Sequence, residues 1–285
     1  MEFSNFFMSA EDFDSVSHHE KILSEMVGTG AKVDHIFGVI RYALKKGDKA
    51  YARTFITMAD KEMSKGGDWE RKNKLSVYKG VLCLLDRNLN TAAELFVKAL
   101  ATFTPCDLLS FKDFVFYTVI TSIISFDRAT IMNKILQSPE ILAVVGEISG
   151  LRELVTALYE CRYRDFFSDF IGVIDFIRND PYLSIHLRYI TRAIRLVSYK
   201  QFLMPYKSVT IDMMASVFGV TPEFIESELC GFIVANKLHC KIDRINKVVE
   251  TNRLEDSRNV LYSRVVKNGD LLLNRLQKLS RVIDV

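Results

Sequence analysis

Apolar residues recur along most of this chain at the three- and four-residue spacing of one helical face, and the period changes to two only near the C-terminus. From Val33 to about Leu100, helical stretches pair across short breakers: Lys46-Gly47-Asp48, Lys65-Gly66-Gly67 and Arg87 to Asn90. In the last pair Gly80 falls where two helices would approach, and Ala92, Phe96 and Ala99 follow at tetratricopeptide-like offsets. Gly38 and Ala50 repeat that offset loosely, with Tyr42 and Phe55 supplying bulk. Such repeats bury a continuous core only by stacking on neighbours. Pro105 ends the segment. Before it, residues 1–32 read as a short helix or ordered tail, with Phe3, Phe6, Phe7 and Phe13 among acids and a Gly28-Thr29-Gly30 break.

Between Asp107 and Tyr206 the pattern stays helical, with breaks near Ser138-Pro139, Ser149-Gly150 and Asn179-Asp180-Pro181. The run from Phe114 to Phe126 is too short to span a bilayer and contains Thr and Ser, so it predicts a buried helix. Tyr159, Tyr163, Phe166, Phe167 and Phe170 form an aromatic stripe; core packing is the first reading and a stacking platform for RNA the second. Leu183 to Leu203 predicts one long helix with Arg188, Arg192 and Arg195 along one side. That basic face is either solvated or paired with acids on a neighbouring subunit.

The last eighty residues change character. Ile211, Met214, Val217 and Phe218 give a short helix that Thr210 can cap and Gly219 can close. Thr221 and Pro222 supply a cap and first-turn proline for a second helix reaching about Lys237, with Ile225, Leu229, Phe232 and Ile233 on one stripe. Then Leu238, Cys240 and Ile242 alternate with His239 and Lys241, and after Asp243 to Asn246 a second strand, with Val248 and Val249, returns. Helix, turn, helix, hairpin is the order of a winged helix.

Charge decides what such a module meets. The second helix carries Glu223, Glu226 and Glu228 in its first two turns, which would repel a phosphate backbone. From Lys207 to Glu250 the bases Lys207, Lys237, Lys241, Arg244 and Lys247 face Asp212, Glu223, Glu226, Glu228, Asp243 and Glu250, so the module is near neutral. Protein is the expected partner, and the exposed edge of a two-stranded wing invites an added strand. Beyond it, Leu272, Leu276, Leu279 and Ile283 follow 4-3-4 spacing, Val265 falls one heptad before Leu272, and Leu271 and Leu273 widen the face. This stripe either folds back on its own domain or enters a helical bundle with other chains. At two and a half heptads it is too short to dimerise stably alone.

Chemistry is absent from the motifs. There is no GxxxxGK[ST] or GxGxxG cradle for phosphate, and no HExxH or HxH-plus-Asp metal set among His18, His19, His35, His186 and His239. His18-His19-Glu20 reads as a solvated pair before a metal site, and His239-Cys240, adjacent on a strand, point to opposite faces and cannot share a proton. No catalytic residue, cofactor or metal is expected, and the chain reads as a non-enzyme. The 26% of charged residues and net charge of +3 indicate no strongly charged partner. Five scattered cysteines without a CxxC pair suit free thiols in a reducing compartment. The opening MEFSNFFMSAED lacks the basic and apolar regions of a secretory signal.

LHCKID from Leu238, VVETN from Val248 and GDLLLNRLQKLSRV from Gly269 resemble the C-terminal part of the PCI-domain family, and within it the subunit 7 branch of the eukaryotic proteasome lid. DWERKNKLSVYKG from Asp68, AAELF from Ala92, TFT from Thr102 and LYECRY from Leu158 extend the likeness to most of the chain from about residue 35. The resemblance implies a mostly α fold: stacked TPR/HEAT-like helical repeats, a winged helix and a C-terminal helix. Four stretches follow: a short N-terminal segment 1–32, a helical-repeat region 33–206, a winged helix completing the PCI domain 207–253, and a tail with bundle helix 254–285. It also implies a longer helical N-terminal region than this sequence carries. The function implied is a scaffold in the cytoplasm and nucleus, hetero-oligomeric, with lid PCI subunits 3 and 6 as neighbours and the lid deubiquitinase reached through the helical bundle. Leu238, His239, Cys240, Lys241, Ile242, Val248 and Val249 would extend a shared sheet, and Leu272, Leu276, Leu279 and Ile283 would enter the bundle. Neither membrane nor nucleic acid is an expected partner. The alternatives are a COP9-signalosome-type PCI subunit and an RNA-associated PCI protein of mRNA export or translation.

Overall fold

The computed structural model describes residues 16–26, 28–64, 66, 68–103, 108–146, 150–251 and 256–283. The phenylalanines expected in the opening tail, together with Pro105 and Ser149, lie outside them. The chain divides into two compact units, Met1–Ser198 and Tyr199–Val285.

The first unit is helical. It runs α1 (Val16–Glu25), α2 (Thr29–Lys46), α3 (Lys49–Ser64), α4 (Trp69–Leu85), α5 (Leu89–Ala99), α6 (Phe111–Ser125) and the single turn α7 (Arg128–Ile131), which continues as a π-turn, Met132–Leu136. After it come α8 (Pro139–Val145), α9 (Leu151–Tyr159), α10 (Tyr163–Asn179) and α11 (Leu187–Leu203), whose last residues belong to the second unit. Sequential helices pack on one another: α2 on α3, α4 on α5, α5 on α6, α9 on α10. Their apolar faces join one continuous core.

The breakers work through identifiable chemistry. Gly47 takes the left-handed conformation, φ 82°, and the Asp48 N–H closes back on the Ala43 carbonyl at 3.0 Å. The Asp48 carboxylate then accepts the N–H groups of Ala50 and Tyr51 at 3.1 and 3.0 Å, opening α3. At the α4–α5 turn a non-glycine, Arg87, adopts φ 61°. Its guanidinium donates from Nε to His186 Nδ1 at 2.9 Å, and His186 is itself buried with Nε2 2.9 Å from the Leu85 carbonyl. Because arginine can only donate, His186 Nδ1 must accept and Nε2 must carry the hydrogen. The left-handed turn is thus held from a hundred residues away.

Gly80 does what its offset predicts. A Cβ there would stand 2.4 Å from Phe96 Cε1, and Phe96 is fully buried. The looser repeat of that offset does not hold. A Cβ on Gly38 would meet nothing nearer than the Arg41 side chain at 3.9 Å, and Ala50 is exposed. The α2–α3 pair is filled instead by large buried side chains, Ile36, Ile40, Phe55 and Ile56, beside Ala52 and Ala59. In α6 every residue from Phe114 to Ile123 is buried. Its threonines are tolerated because Thr118 and Thr121 donate to the carbonyls of Phe114 and Tyr117, each at 2.7 Å. The aromatic stripe of α10 is core: Tyr163, Phe166 and Phe170 are buried, and the rings of Phe166 and Phe170 stack 6.1 Å apart. The helix expected from Leu183 starts later. Asp180 binds the N–H groups of Tyr182 and Leu183, both at 2.8 Å, and receives the Tyr117 hydroxyl, so a 3-10 turn, Ser184–His186, precedes α11.

The second unit contains β1 (Ser208–Thr210), α12 (Ile211–Phe218), α13 (Pro222–Val234), β2 (Cys240–Asp243), β3 (Val248–Thr251) and α14 (Asp256–Ile283). Thr210 caps α12 by accepting the Met213 N–H, and Gly219 closes it at φ 67°. Thr221 occupies the N-cap of α13, yet its side chain makes no capping bond; Pro222 alone pre-shapes that turn. The helix ends at Val234, not Lys237, because Asn236 turns left-handed, φ 57°, and the Lys237 N–H returns to the Phe232 carbonyl at 3.0 Å. Tyr199, Phe202, Phe218 and Phe232 interlock edge to face at centroid separations of 5.0 to 6.1 Å, all buried.

The sheet has three strands, ordered β1-β3-β2 and antiparallel, with Ile242 opposite Val249 and Val209 opposite Val249 on the other side. Sequence periodicity finds only two of them, since Ser208–Thr210 is too short to show alternation. Leu238 and His239 lie before β2 and outside the ladder. The wing turn is tied by Asp243, whose carboxylate accepts Ile245 N–H at 2.9 Å, Asn246 N–H at 3.3 Å and the Asn246 side-chain amide at 2.8 Å. These bonds, the Asn246 side chain first, hold its pKa below the usual carboxylate value.

Two outcomes are expected. Gly80→Ala should destabilise the chain by about 1–3 kcal/mol in denaturant unfolding, and a smaller residue at Phe96 should recover part of the loss. A depressed carboxylate pKa means stability that is present above the unfolded value, near 4, and lost as pH falls through the folded one. Acidification should therefore loosen the wing turn before α12 and α13, as read by amide hydrogen exchange, and Asp243→Ala should loosen it already at neutral pH.

Candidate assembly surfaces

Both flanks of β3 are hydrogen-bonded, so Val248, half-buried, and Val249, fully buried, cannot receive another strand. This corrects the expectation that the whole wing offers an edge. The outer side of β2, Cys240–Asp243, is unpaired among the described residues, as is that of β1. On β2 the alternation separates functions. Leu238 and Cys240 face the core, where burial pushes the Cys240 thiol pKa up, while His239 and Lys241 are exposed and Ile242 is half-buried. His239 and Cys240 accordingly lie on opposite sides. Beside the wing, Arg244 pairs with Glu226 of α13 at 3.1 Å, and Glu228 receives the Tyr199 hydroxyl at 3.4 Å. A wing arginine bound to an acidic helix is poorly placed for phosphate.

The terminal helix is the more exposed surface. α14 is 28 residues long, about 42 Å at 1.5 Å per residue. Leu272, Leu276, Leu279 and Ile283 are 60%, 62%, 59% and 72% exposed, and Leu261, Val265, Leu271 and Leu273 are also more than half exposed. The stripe is not folded back; it stands in water. The sequence placed a tail and bundle helix in residues 254–285, with Val265 one heptad before Leu272; the helix occupies Asp256–Ile283. The helix runs through Gly269, where a Cβ would meet nothing within 4 Å, so the glycine answers no steric demand.

Of the three arginines on α11, Arg188 and Arg192 are exposed and Arg195 is half-buried, so they do not form one uniform face. Between α9 and α10 a shallow depression is lined by Arg152, Glu153, Thr156, Arg162, Asp165, Ser168 and Asp169. Arg162 is engaged by Glu160 at 2.8 Å and Asp165 at 3.0 Å. Asp169 is held above the usual carboxylate pKa, first by desolvation and then by Glu153 and Asp165. The Ser168 hydroxyl in its lining donates to the Arg164 carbonyl at 3.2 Å. Among the described residues no three His, Cys, Asp or Glu side chains gather as a metal site, and no helix is long and apolar enough to cross a membrane. His19 is buried, not solvated as expected, and lies against His35.

Three family descriptions match the chain in order: 26S proteasome subunit RPN7 over residues 1–134, PCI domain over 174–253, and 26S proteasome regulatory subunit RPN7/PSMD6 C-terminal helix over 262–283. The last coincides with the uncovered stripe of α14. The 26S proteasome non-ATPase regulatory subunit 6 of Oryza sativa subsp. japonica is 46% identical over 280 residues, covering 96% of this chain and 72% of the rice protein. That of Dictyostelium discoideum is 36% identical over 283 residues, 99% of this chain and 74% of its own length. COP9 signalosome complex subunit 1 of Arabidopsis thaliana is more distant, 24% identical over 58% of this chain and 37% of that protein. Helical repeats, winged helix and terminal helix thus occur in the order and at the positions of one family, and the chain belongs to the family of 26S proteasome regulatory subunit RPN7/PSMD6.

Proposed function

We propose that this chain is a non-catalytic scaffold subunit of the proteasome regulatory-particle lid, acting in ubiquitin-dependent protein degradation. The observation that carries the reading is the uncovered apolar stripe of α14. Water penalises such a face, and a helical seam removes the penalty at roughly 2 kcal/mol per fully buried leucine. The helix enters a bundle with the terminal helices of other lid subunits, and the winged helix lies beside its neighbours with the β2 edge available for pairing. Lid PCI subunits 3 and 6 are the proposed neighbours, and the bundle places the lid deubiquitinase. The repeats of the first unit supply the rigid support. Cytoplasm and nucleus are the proposed locations. The signalosome alternative is less well supported, given 46% identity to the rice proteasome subunit against 24% to a signalosome subunit. The acidic α13 disfavours the RNA-associated alternative.

Leu276→Asp tests this directly. Because Leu276 is 62% exposed in the isolated chain, the variant should unfold within about 0.5 kcal/mol of the parent, yet lose co-purification with lid subunits. A carboxylate in a dry seam costs several kcal/mol. Undiminished co-purification would overturn the proposed role of the stripe. The purified chain should also show no peptidase, isopeptidase or nucleotidase turnover; activity abolished by one point substitution would refute the non-catalytic assignment.

A further inference from the structure

Building on the proposed role of α14 as a bundle helix, and resting on it, we propose that Gly269 is a socket in the seam of that helix, filled in the assembled state by a large apolar side chain from an acidic helix of another chain. Continued toward the N-terminus, the 4-3 spacing of Leu272, Leu276, Leu279 and Ile283 passes through Gly269, Val265 and Tyr262. Six of these seven positions carry large apolar side chains, all more than half exposed, and the seventh carries none.

A glycine inside a helix needs a reason, because the freedom of its unfolded backbone costs helical stability relative to alanine. Nothing within this chain supplies one. Gly269 lies in the middle of α14, and a Cβ there would meet no atom within 4 Å. The space is therefore open to a neighbour. In knobs-into-holes packing, a seam position without a side chain is a hole that a bulky residue of a closely approaching helix fills. Charge then selects the neighbour. From residue 258 to 281 the helix carries Arg258, Arg264, Lys267, Arg275, Lys278 and Arg281 against one acid, Asp270, and all seven are exposed. A second copy would set this basic excess against itself, and a parallel pair in register would put Gly269 opposite Gly269, hole on hole. A helix with an apolar seam, carboxylates along its rim and Leu, Met or Phe at the level of Gly269 satisfies both features.

The test uses the tagged full chain in cells that assemble the lid, and reads the lid subunits captured per tagged chain. Gly269→Leu closes the gap in the stripe, so if apolar area alone mattered, capture would be kept or improved. It is expected instead to fall about tenfold, as overpacking a tight site does, with Gly269→Ala intermediate. Circular dichroism of both purified variants should show helix content equal to or above the parent. The charge-reversed double variant Arg275→Glu/Lys278→Glu should also lower capture. Undiminished capture of Gly269→Leu overturns the socket, and undiminished capture of the charge-reversed variant overturns the acidic partner. Leu276→Asp, run beside them, separates two failures. Its loss of capture while Gly269→Leu is retained refutes the socket alone, whereas retention of both refutes the bundle role as well. Dimers of the parent chain through α14 in sedimentation, or its binding to phosphatidylserine vesicles in place of lid subunits, would give the stripe another occupant and overturn the proposal.

Discussion

An apolar helix face must be covered, and the structure follows from where this chain can meet that demand itself and where it cannot. In the first unit the apolar faces of α2 to α6, α9 and α10 meet in one core. Gly80 lets α4 and α5 approach until the Phe96 ring occupies the space a Cβ would need, and α6, buried on all sides over ten residues, seals the stack. In the second unit α12 and α13 close over four interlocked aromatic rings. The stripe of α14 finds no such cover among the described residues. The same free energy that holds the repeats together remains unsatisfied there, and it is the driving force available for assembly.

Much of this is legible in the sequence because it depends on local chemistry. Gly47 and Asp48 end one helix and start the next with bonds spanning a few residues, and Thr210 and Gly219 bracket α12 in the same way. The stripe of α14 shows as plainly as any, since leucines at 4-3-4 spacing do not depend on tertiary context. What sequence misses has a common cause. The third strand, the 3-10 turn before α11 and the early end of α13 are each imposed by a partner outside the local pattern: β3, the Tyr117–Asp180 bond, and Asn236 in a conformation usually left to glycine.

Polar groups in the first unit act as long-range fasteners. Arg87, His186 and Leu85 tie the α4–α5 turn to the start of α11, and Lys49 adds a donor to the same Leu85 carbonyl at 2.6 Å. None of these residues is conspicuous in sequence. Their role appears only because a carbonyl at a helix end and an arginine in a left-handed turn need partners, and the fold brings both to one histidine.

The place of β1 has a consequence for any assembly built through the sheet. With β3 occupied on both flanks, the two sides left over belong to different strands, of different length and sequence. Edge-to-edge pairing between like modules that joins one kind of side to the other is head-to-tail, and such a junction repeats in a row instead of closing into a symmetric pair. An assembly built by such pairing would be directional, with a left neighbour distinguished from a right one before any side chain is compared.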